Sequence, residues 1–273
     1  KGQYGVEQQL NDTLKGRDGL LQSVTDVRNV PLTVGKDNVR IEPQAGEDVV
    51  LSIDRNIQAF TEESLKRGVE KSSATEGSVL VMNPNNGEVM AMANFPSFNM
   101  SEYYNVGDAS VFMNPVTMVP YEPASVIKAF TLAAAMDRGV IDASSTYSNT
   151  DRIQVADRVM ENALKGHTGT VTMQEVLNNS LNTGTITAAR RLGNGRQINL
   201  QAREVMYDYF HDKFGLGMKT GIEVPEVAGL IYPPNTVEGN EVRYSAMTFG
   251  QSLNLTMIQV AAGFSSIINR GEY

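Results

Sequence analysis

Apolar positions along this 273-residue chain fall mostly at helical spacing, with a few alternating or continuous runs between. Asp54 precedes Ile57, Phe60, Leu65 and Val69, which predicts a helix capped by the Asp54 carboxylate and buried along that stripe. Thr172-Met173-Gln174-Glu175 has the form of a capping box and predicts a helix through Leu177. After Asn179-Ser180-Leu181-Asn182-Thr183-Gly184, a second helix is expected from Thr185 to Leu192. Residues 199–214 carry Val205, Met206, Tyr209, Phe210 and Phe214 on one helical face. Thr256 caps a last apolar helix through Ile258, Ala261, Ala262, Ile267 and Ile268, ended by Gly271.

Strand signals are fewer. Gly46 to Asp54 alternates apolar and polar residues, which predicts a short strand. Gly77–Asn83 and Glu88–Ala93 are nearly continuous apolar runs joined by Pro84-Asn85-Asn86-Gly87, a strong hairpin signal, and both faces of that hairpin are expected to be covered. Residues 1–46 are turn-rich, with Gly2, Gly5, Gly16, Gly19, Gly35 and Gly46 and an apolar-poor helix candidate near Val6–Leu14. They read as the end of an accessory domain or a linker, and residues 47–273 as the main domain. Asn94–Pro120 reads as a long loop, residues 142–170 as irregular surface structure, and Gly215–Gly229 as a loop. At least six helices and one clear hairpin make an α+β chain. Two strands apolar on both faces need further strands beside them.

The densest chemistry lies in Tyr121-Glu122-Pro123-Ala124-Ser125-Val126-Ile127-Lys128 and the alanine-rich run to Met136. Pro123 discourages helix before it and the alanines propagate one after it, so Ser125 falls at a helix start. There, free N–H groups and the positive end of the dipole favour developing negative charge. Gly139 is the expected terminator. Lys128 lies three residues on, on the same face as the Ser125 hydroxyl. An amine held against so apolar a helix loses basicity by burial and can accept a proton near neutral pH. Ser180-Leu181-Asn182, in the break between two helices, supplies a second hydroxyl and a carboxamide. Capping is the commoner use of such residues, but S-x-x-K followed by S-x-N is the opening of the pattern used by serine acyl-transferases with a lysine base.

Composition narrows the reading further. A net charge of −8 argues against a nucleic-acid or anionic-membrane surface. The chain holds no cysteine, hence no disulfide framework, and two histidines, little material for a histidine metal site or a Ser-His-Asp triad. No cofactor is called for. There is no apolar run long enough to span a bilayer, and Lys1 begins no signal peptide, so any anchor is expected outside this sequence.

In ordered stretches over nearly its whole length the chain resembles the transpeptidase region of class B penicillin-binding proteins, of the division and elongation type. These stretches are Gly2 to Gly19, Asp48 to Gln58, Asn83 to Pro96, Tyr121 to Lys128, Asn179 to Gly184, Phe214 to Glu226, and Phe249-Gly250-Gln251. The resemblance implies a penicillin-binding-protein/serine β-lactamase-like fold, an antiparallel sheet with helices on both faces, preceded by a pedestal domain. It implies that Ser125 takes the acyl group from the penultimate D-Ala of a peptidoglycan stem peptide, with Lys128 as base. Ser180 would relay a proton to the leaving amine, and Asn182 would hold the substrate amide and help orient Lys128. β-Lactam antibiotics would acylate Ser125, and the site would face the extracytoplasmic side of a bacterial membrane among division or elongation membrane proteins.

Two departures from the family pattern stand out. Ala124 takes a place usually held by glycine. Lys219-Thr220-Gly221 matches the third motif as a string, but Gly217 and Pro225 suit a loop better than a core strand. The third motif is instead expected after the last helix, beyond Tyr273, in a C-terminal segment of the same polypeptide whose strands complete the sheet. Without that segment, the fragment is expected to be neither stable nor competent. Gly215-x-Gly217-x-Lys219-Thr220 is a poor phosphate loop because Met218 precedes the lysine. His167 and His211 read as ordinary loop and surface residues, and the methionines as core filler. A β-lactamase or β-lactam sensor on the same fold is the enzymatic alternative. The deacylating Glu-x-x-x-Asn pattern is absent, since Glu204 is followed by Val205, Met206, Tyr207 and Asp208. A non-catalytic scaffold is the other alternative.

Overall fold

The computed structural model describes residues 2–22 and 39–272; Gly35 and the centre of the turn-rich segment lie outside them. The chain divides into two units, Lys1–Ser52 with Glu223–Pro225, and Ile53–Ile222 with Glu226–Tyr273. In the first, two short helices, α1 (Gly5–Gln9) and α2 (Asn11–Leu14), replace the single helix expected over Val6–Leu14, because Leu10 leaves helical geometry at φ −99°, ψ 20°. β1 (Leu20–Gln22) pairs antiparallel with β2 (Val39–Ile41), and none of the described residues in these four elements is buried. The strand expected over Gly46–Asp54 is not formed. Alternation makes a strand only where a partner edge accepts its backbone groups, and Val50 is instead 95% exposed.

The second unit begins with α3 (Arg55–Ser72). Its first turn is capped as expected, Asp54 accepting from the amides of Asn56 and Ile57 at 2.8 and 3.0 Å. The hairpin forms where the Asn-Gly signal places it. β3 (Gly77–Met82) and β4 (Val89–Phe95) run antiparallel, with Gly77 opposite Phe95. α3 is bound to β4 by a reciprocal pair in which Gln58 donates to the Met92 carbonyl at 2.9 Å and accepts from the Met92 amide at 2.8 Å. The cover is thinner than the sequence suggests: every β3 residue is half-buried, and only Ala91 and Ala93 of β4 are buried. Among the described residues no strand pairs with the other edge of β3. Phe60, expected in the buried stripe, is 66% exposed and borders an open groove of about 540 Å³ with Leu65, Val79 and Val81.

Residues 96–120 carry two 3-10 turns and a short helix, α4 (Pro115–Met118), within the expected loop. A 3-10 turn over Ala124–Ile127 then leads into α5 (Lys128–Asp137), the buried spine of the core. Gly139, at φ +67°, ends it as expected. The Gly139 amide bonds to Met136 and the Val140 amide to Ala135, an arrangement that requires left-handed backbone at the glycine. Residues 142–170, expected to be irregular, form four short strands: β5 (Thr146–Asn149), β6 (Arg152–Val155), β7 (Arg158–Glu161) and β8 (Gly169–Thr172), paired as β5–β8 and β6–β7. Four-residue polar strands leave almost no periodic trace, and their turns use left-handed Asp151 and Ala156, where no glycine marks them.

The Thr172–Glu175 capping box is present and opens α6 (Met173–Asn178). α7 (Asn182–Arg191) starts three residues earlier than expected, and α8 (Leu200–Tyr207) continues through a wider π-turn to Lys213. α9 (Glu241–Met247), not foreseen, precedes α10 (Met257–Ile268), at whose start Gln259 Oε1 accepts from the Thr256 amide at 3.3 Å while the Thr256 hydroxyl makes no cap. Phe130 on α5 packs edge-on against Phe214 and Phe264, and α7 lies beside it with Ile186, Ala188 and Ala189 fully buried. Burial of this apolar surface drives the fold and leaves the first turns of α5 and α7 facing one another across the site.

Candidate active site

Pro123 enters the site turn at φ −70°, and Ala124 follows at φ +55°, a conformation disfavoured for any residue with a Cβ. The Ala124 amide donates to the Gly250 carbonyl at 3.0 Å. Gly250 is itself at φ +81°, and a Cβ there would come within 1.9 Å of the Ala124 carbonyl oxygen. The Phe249-Gly250-Gln251 segment therefore clamps the turn that presents Ser125. Ser125 is exposed, and its own N–H has no hydrogen-bond partner among the described residues. An unfilled donor at the positive end of a helix, next to an exposed hydroxyl, suits a developing oxyanion.

One turn on, Lys128 is 1% exposed. Burial lowers its pKa from 10.5 to about 8, so roughly one amine in ten is uncharged at pH 7. Its Nζ donates to the Ser180 carbonyl at 2.5 Å and lies 2.7 Å from Ser180 Oγ, which lies 3.0 Å from Ser125 Oγ. The lysine makes no direct hydrogen bond to Ser125. The two are joined through Ser180, and since each hydroxyl both donates and accepts, a proton can pass along the chain toward the amine.

Ser180 is held by an unusual helix end. It follows the last turn of α6 at φ +54°, with its amide bonded to Leu177 and the Leu181 amide to Val176. Glycine is the usual occupant of that position. Strain of this kind persists where the rest of the structure over-determines it, commonly at functional sites. Here the strained backbone aims both the carbonyl and the hydroxyl of Ser180 at Lys128.

Asn182, at the first position of α7, donates from Nδ2 to the Glu161 carbonyl at 2.8 Å and makes no hydrogen bond to Lys128. The structure thus brings Ser125, Lys128 and Ser180 into one hydrogen-bonded chain and anchors Asn182 separately on the end of β7. The sequence reading missed Glu161 and its neighbours, because a backbone acceptor leaves no mark in residue type. Lys219-Thr220-Gly221 lies in a loop, as argued from its flanks. The Glu226 carboxylate accepts from the Thr220 amide and hydroxyl at 2.9 and 3.0 Å and from the Gly221 amide at 2.7 Å.

Residues 77–273 match the family model described as "Penicillin binding protein transpeptidase domain". Stage V sporulation protein D of Bacillus subtilis is 29% identical over 99% of this chain and 40% of its own length. The probable peptidoglycan D,D-transpeptidase PbpC of Pseudomonas aeruginosa is 31% identical over the whole chain and 46% of its own length. The crystal structure of penicillin binding protein 3 from Mycobacterium tuberculosis, complexed with ampicillin, superposes with a TM-score of 0.79 at 28% identity, covering 99% of this chain and 53% of that one. The chain therefore spans less than half the length of these curated relatives. No helix among the described residues is long and apolar enough to cross a membrane.

Proposed function

Because this chain belongs to the class B penicillin-binding-protein transpeptidase family and has its fold, we propose that Ser125 is the nucleophile of a peptidoglycan D,D-transpeptidase. The carbonyl attacked is that of the penultimate D-Ala of a stem peptide. As Ser125 Oγ bonds to that carbon, its proton moves to Ser180 Oγ while the Ser180 proton moves to uncharged Lys128 Nζ. The Ser125 N–H takes the oxyanion. Collapse breaks the C–N bond, and the proton returns from Lys128 Nζ to Ser180 Oγ as the Ser180 proton passes to the departing D-Ala amine. The resulting ester is then taken by an amine of a second stem peptide. A β-lactam follows the same first step, but its leaving nitrogen stays tethered. Such substrates place the site on the extracytoplasmic side of the bacterial membrane.

The observation that carries this reading is the continuous chain Lys128 Nζ, Ser180 Oγ, Ser125 Oγ with separations of 2.7 and 3.0 Å. Positioned proton transfer of this kind contributes about 10²–10⁴ in rate. The protein carrying this chain, given a peptide ending in D-Ala-D-Ala and an acceptor amine, should release D-Ala and form the exchanged peptide. Ser125→Ala should abolish both products. Undiminished turnover by Ser125→Ala would refute the assignment.

A further inference from the structure

Behind Asn182 lies a closed polar cluster that the chemistry above does not use. Asn162 directly follows Glu161, whose carbonyl holds the Asn182 side chain, and is 2% exposed. Its Oδ1 accepts from the Thr183 amide at 3.0 Å and the Thr183 hydroxyl at 3.1 Å. Its Nδ2 donates to Asp151 Oδ1 at 3.0 Å and to Asn149 Oδ1 at 3.3 Å, and its own amide donates to the Asp151 carbonyl at 3.0 Å. Asn149 Oδ1 lies 3.0 Å from the Thr183 hydroxyl, which shares its one proton between the two asparagine oxygens, and the Tyr147 hydroxyl lies 3.0 Å from Thr183 Oγ1. The Asp151 carboxylate, 7% exposed and in no salt bridge among the described residues, takes further bonds from Asn149 Nδ2 at 3.1 Å and the Gly166 amide at 2.7 Å.

A buried carboxylate is costly unless its lone pairs are filled. Here they are filled by amides, Asn162 foremost, and these, with a smaller contribution from the nearby Lys165 charge, hold its pKa below the usual carboxylate range. The Leu181 side chain cannot cap α7, and no local cap exists. The Thr183 amide, one of the helix's unpaired first-turn donors, is instead capped from across the fold by Asn162. One residue therefore fixes both things that orient Asn182. Through its own backbone it sets the Glu161 carbonyl, and through its side chain it pins the first turn of the helix on which Asn182 sits.

We propose that Asn162, locked by Asp151, Asn149 and Thr183, is the positioning residue that holds the Asn182 carboxamide in place for substrate. This rests on the reading of Ser125 and Asn182 as site residues. Asn162 does not touch substrate; it acts through Asn182.

The test is a double-mutant cycle on the protein carrying this chain, reading the second-order rate of labelling by a fluorescent penicillin. Asn162→Ala should slow labelling at least tenfold when Asn182 is present and less than twofold in the Asn182→Ala background. An equal loss in both backgrounds would mean that Asn162 only supports the fold, and the positioning role would be overturned. Should Asn162→Ala not fold, Thr183→Val removes only the hydroxyl contacts; it should slow labelling several-fold, with Thr183→Ser restoring it. Labelling of Thr183→Val at the wild-type rate would equally overturn the proposal. Failure of the underlying reading looks different: Asn182→Ala alone would then label as fast as wild type, and the proposal would fall with it.

Discussion

Replacing Lys128 by methionine isolates the energetic consequence of burying its amine. The amine is 1% exposed and its pKa is lowered from 10.5 to about 8 by desolvation. At 1.36 kcal/mol per pH unit, that displacement is worth about 3 kcal/mol. Its sign follows from proton counts. Below pH 8 the amine is charged in both folded and unfolded chains, and stability carries the full burial cost. Between pH 8 and 10.5 the unfolded chain holds the extra proton, so stability rises with pH, and above 10.5 the gain is complete. Methionine has similar length and no charge. It also gives up the bonds to the Ser180 carbonyl and hydroxyl, each worth about 1 kcal/mol net. At pH 7 the Lys128→Met protein should therefore be no less stable than wild type, within about 1 kcal/mol. By pH 10 it should be about 2–3 kcal/mol worse relative to wild type than it was at pH 7. Urea unfolding followed by far-ultraviolet circular dichroism at the two pH values measures this, and other titrating groups cancel in the difference. A wild-type-minus-variant difference that is the same at both pH values would refute the idea that Lys128 is held with depressed basicity.

The site turn gives two further tests. Gly250→Ala places a Cβ 1.9 Å from the Ala124 carbonyl oxygen at a backbone angle of φ +81°; it should cost about 1–3 kcal/mol and sharply reduce penicillin labelling, read by thermal melting and gel fluorescence. Ala124→Gly relieves left-handed strain at φ +55° worth about 1–2 kcal/mol, partly offset by about 0.4–1 kcal/mol of added unfolded-chain entropy. The melting temperature should hold or rise by a few degrees with labelling retained, and a clear drop would show that the alanine methyl makes a needed contact.

Local chemistry was the most legible part of this fold. The caps at Asp54 and Thr172, the Gly139 terminator and the Asn-Gly hairpin each depend on a few adjacent residues, and each forms where its residues stand; the helix expected after Thr256 forms, but without a bond from the Thr256 hydroxyl. Features that depend on distant partners were not legible. The Gly46–Asp54 alternation found no strand to pair with, and Phe60 sits on a face nothing among the described residues covers. In residues 142–170 the order comes from Asn149, Asp151 and Asn162 bonding to one another and from the two asparagines bonding to Thr183, contacts that span up to 34 positions and obey no period. Of the site, Ser125 and Lys128 could be placed from one helix turn. The strained backbone of Ser180 could not, since serine there gives no hint of a position that normally takes glycine, and neither could the anchoring of Asn182 on a carbonyl. At Ala124 the resemblance implies a departure from glycine, and the positive φ there is a backbone conformation that glycine adopts without strain.

In the proposed mechanism Ser125 becomes nucleophilic by passing its proton through Ser180 to an uncharged Lys128. The rate at which benzylpenicillin forms an adduct on Ser125, followed by mass spectrometry from pH 6 to pH 9.5, tests it directly. Formation should accelerate about tenfold per pH unit below a midpoint near 8, level off above it, and fall by about 10²–10⁴ in Ser180→Gly. A rate that is flat across that range, or an adduct on a residue other than Ser125, would contradict it.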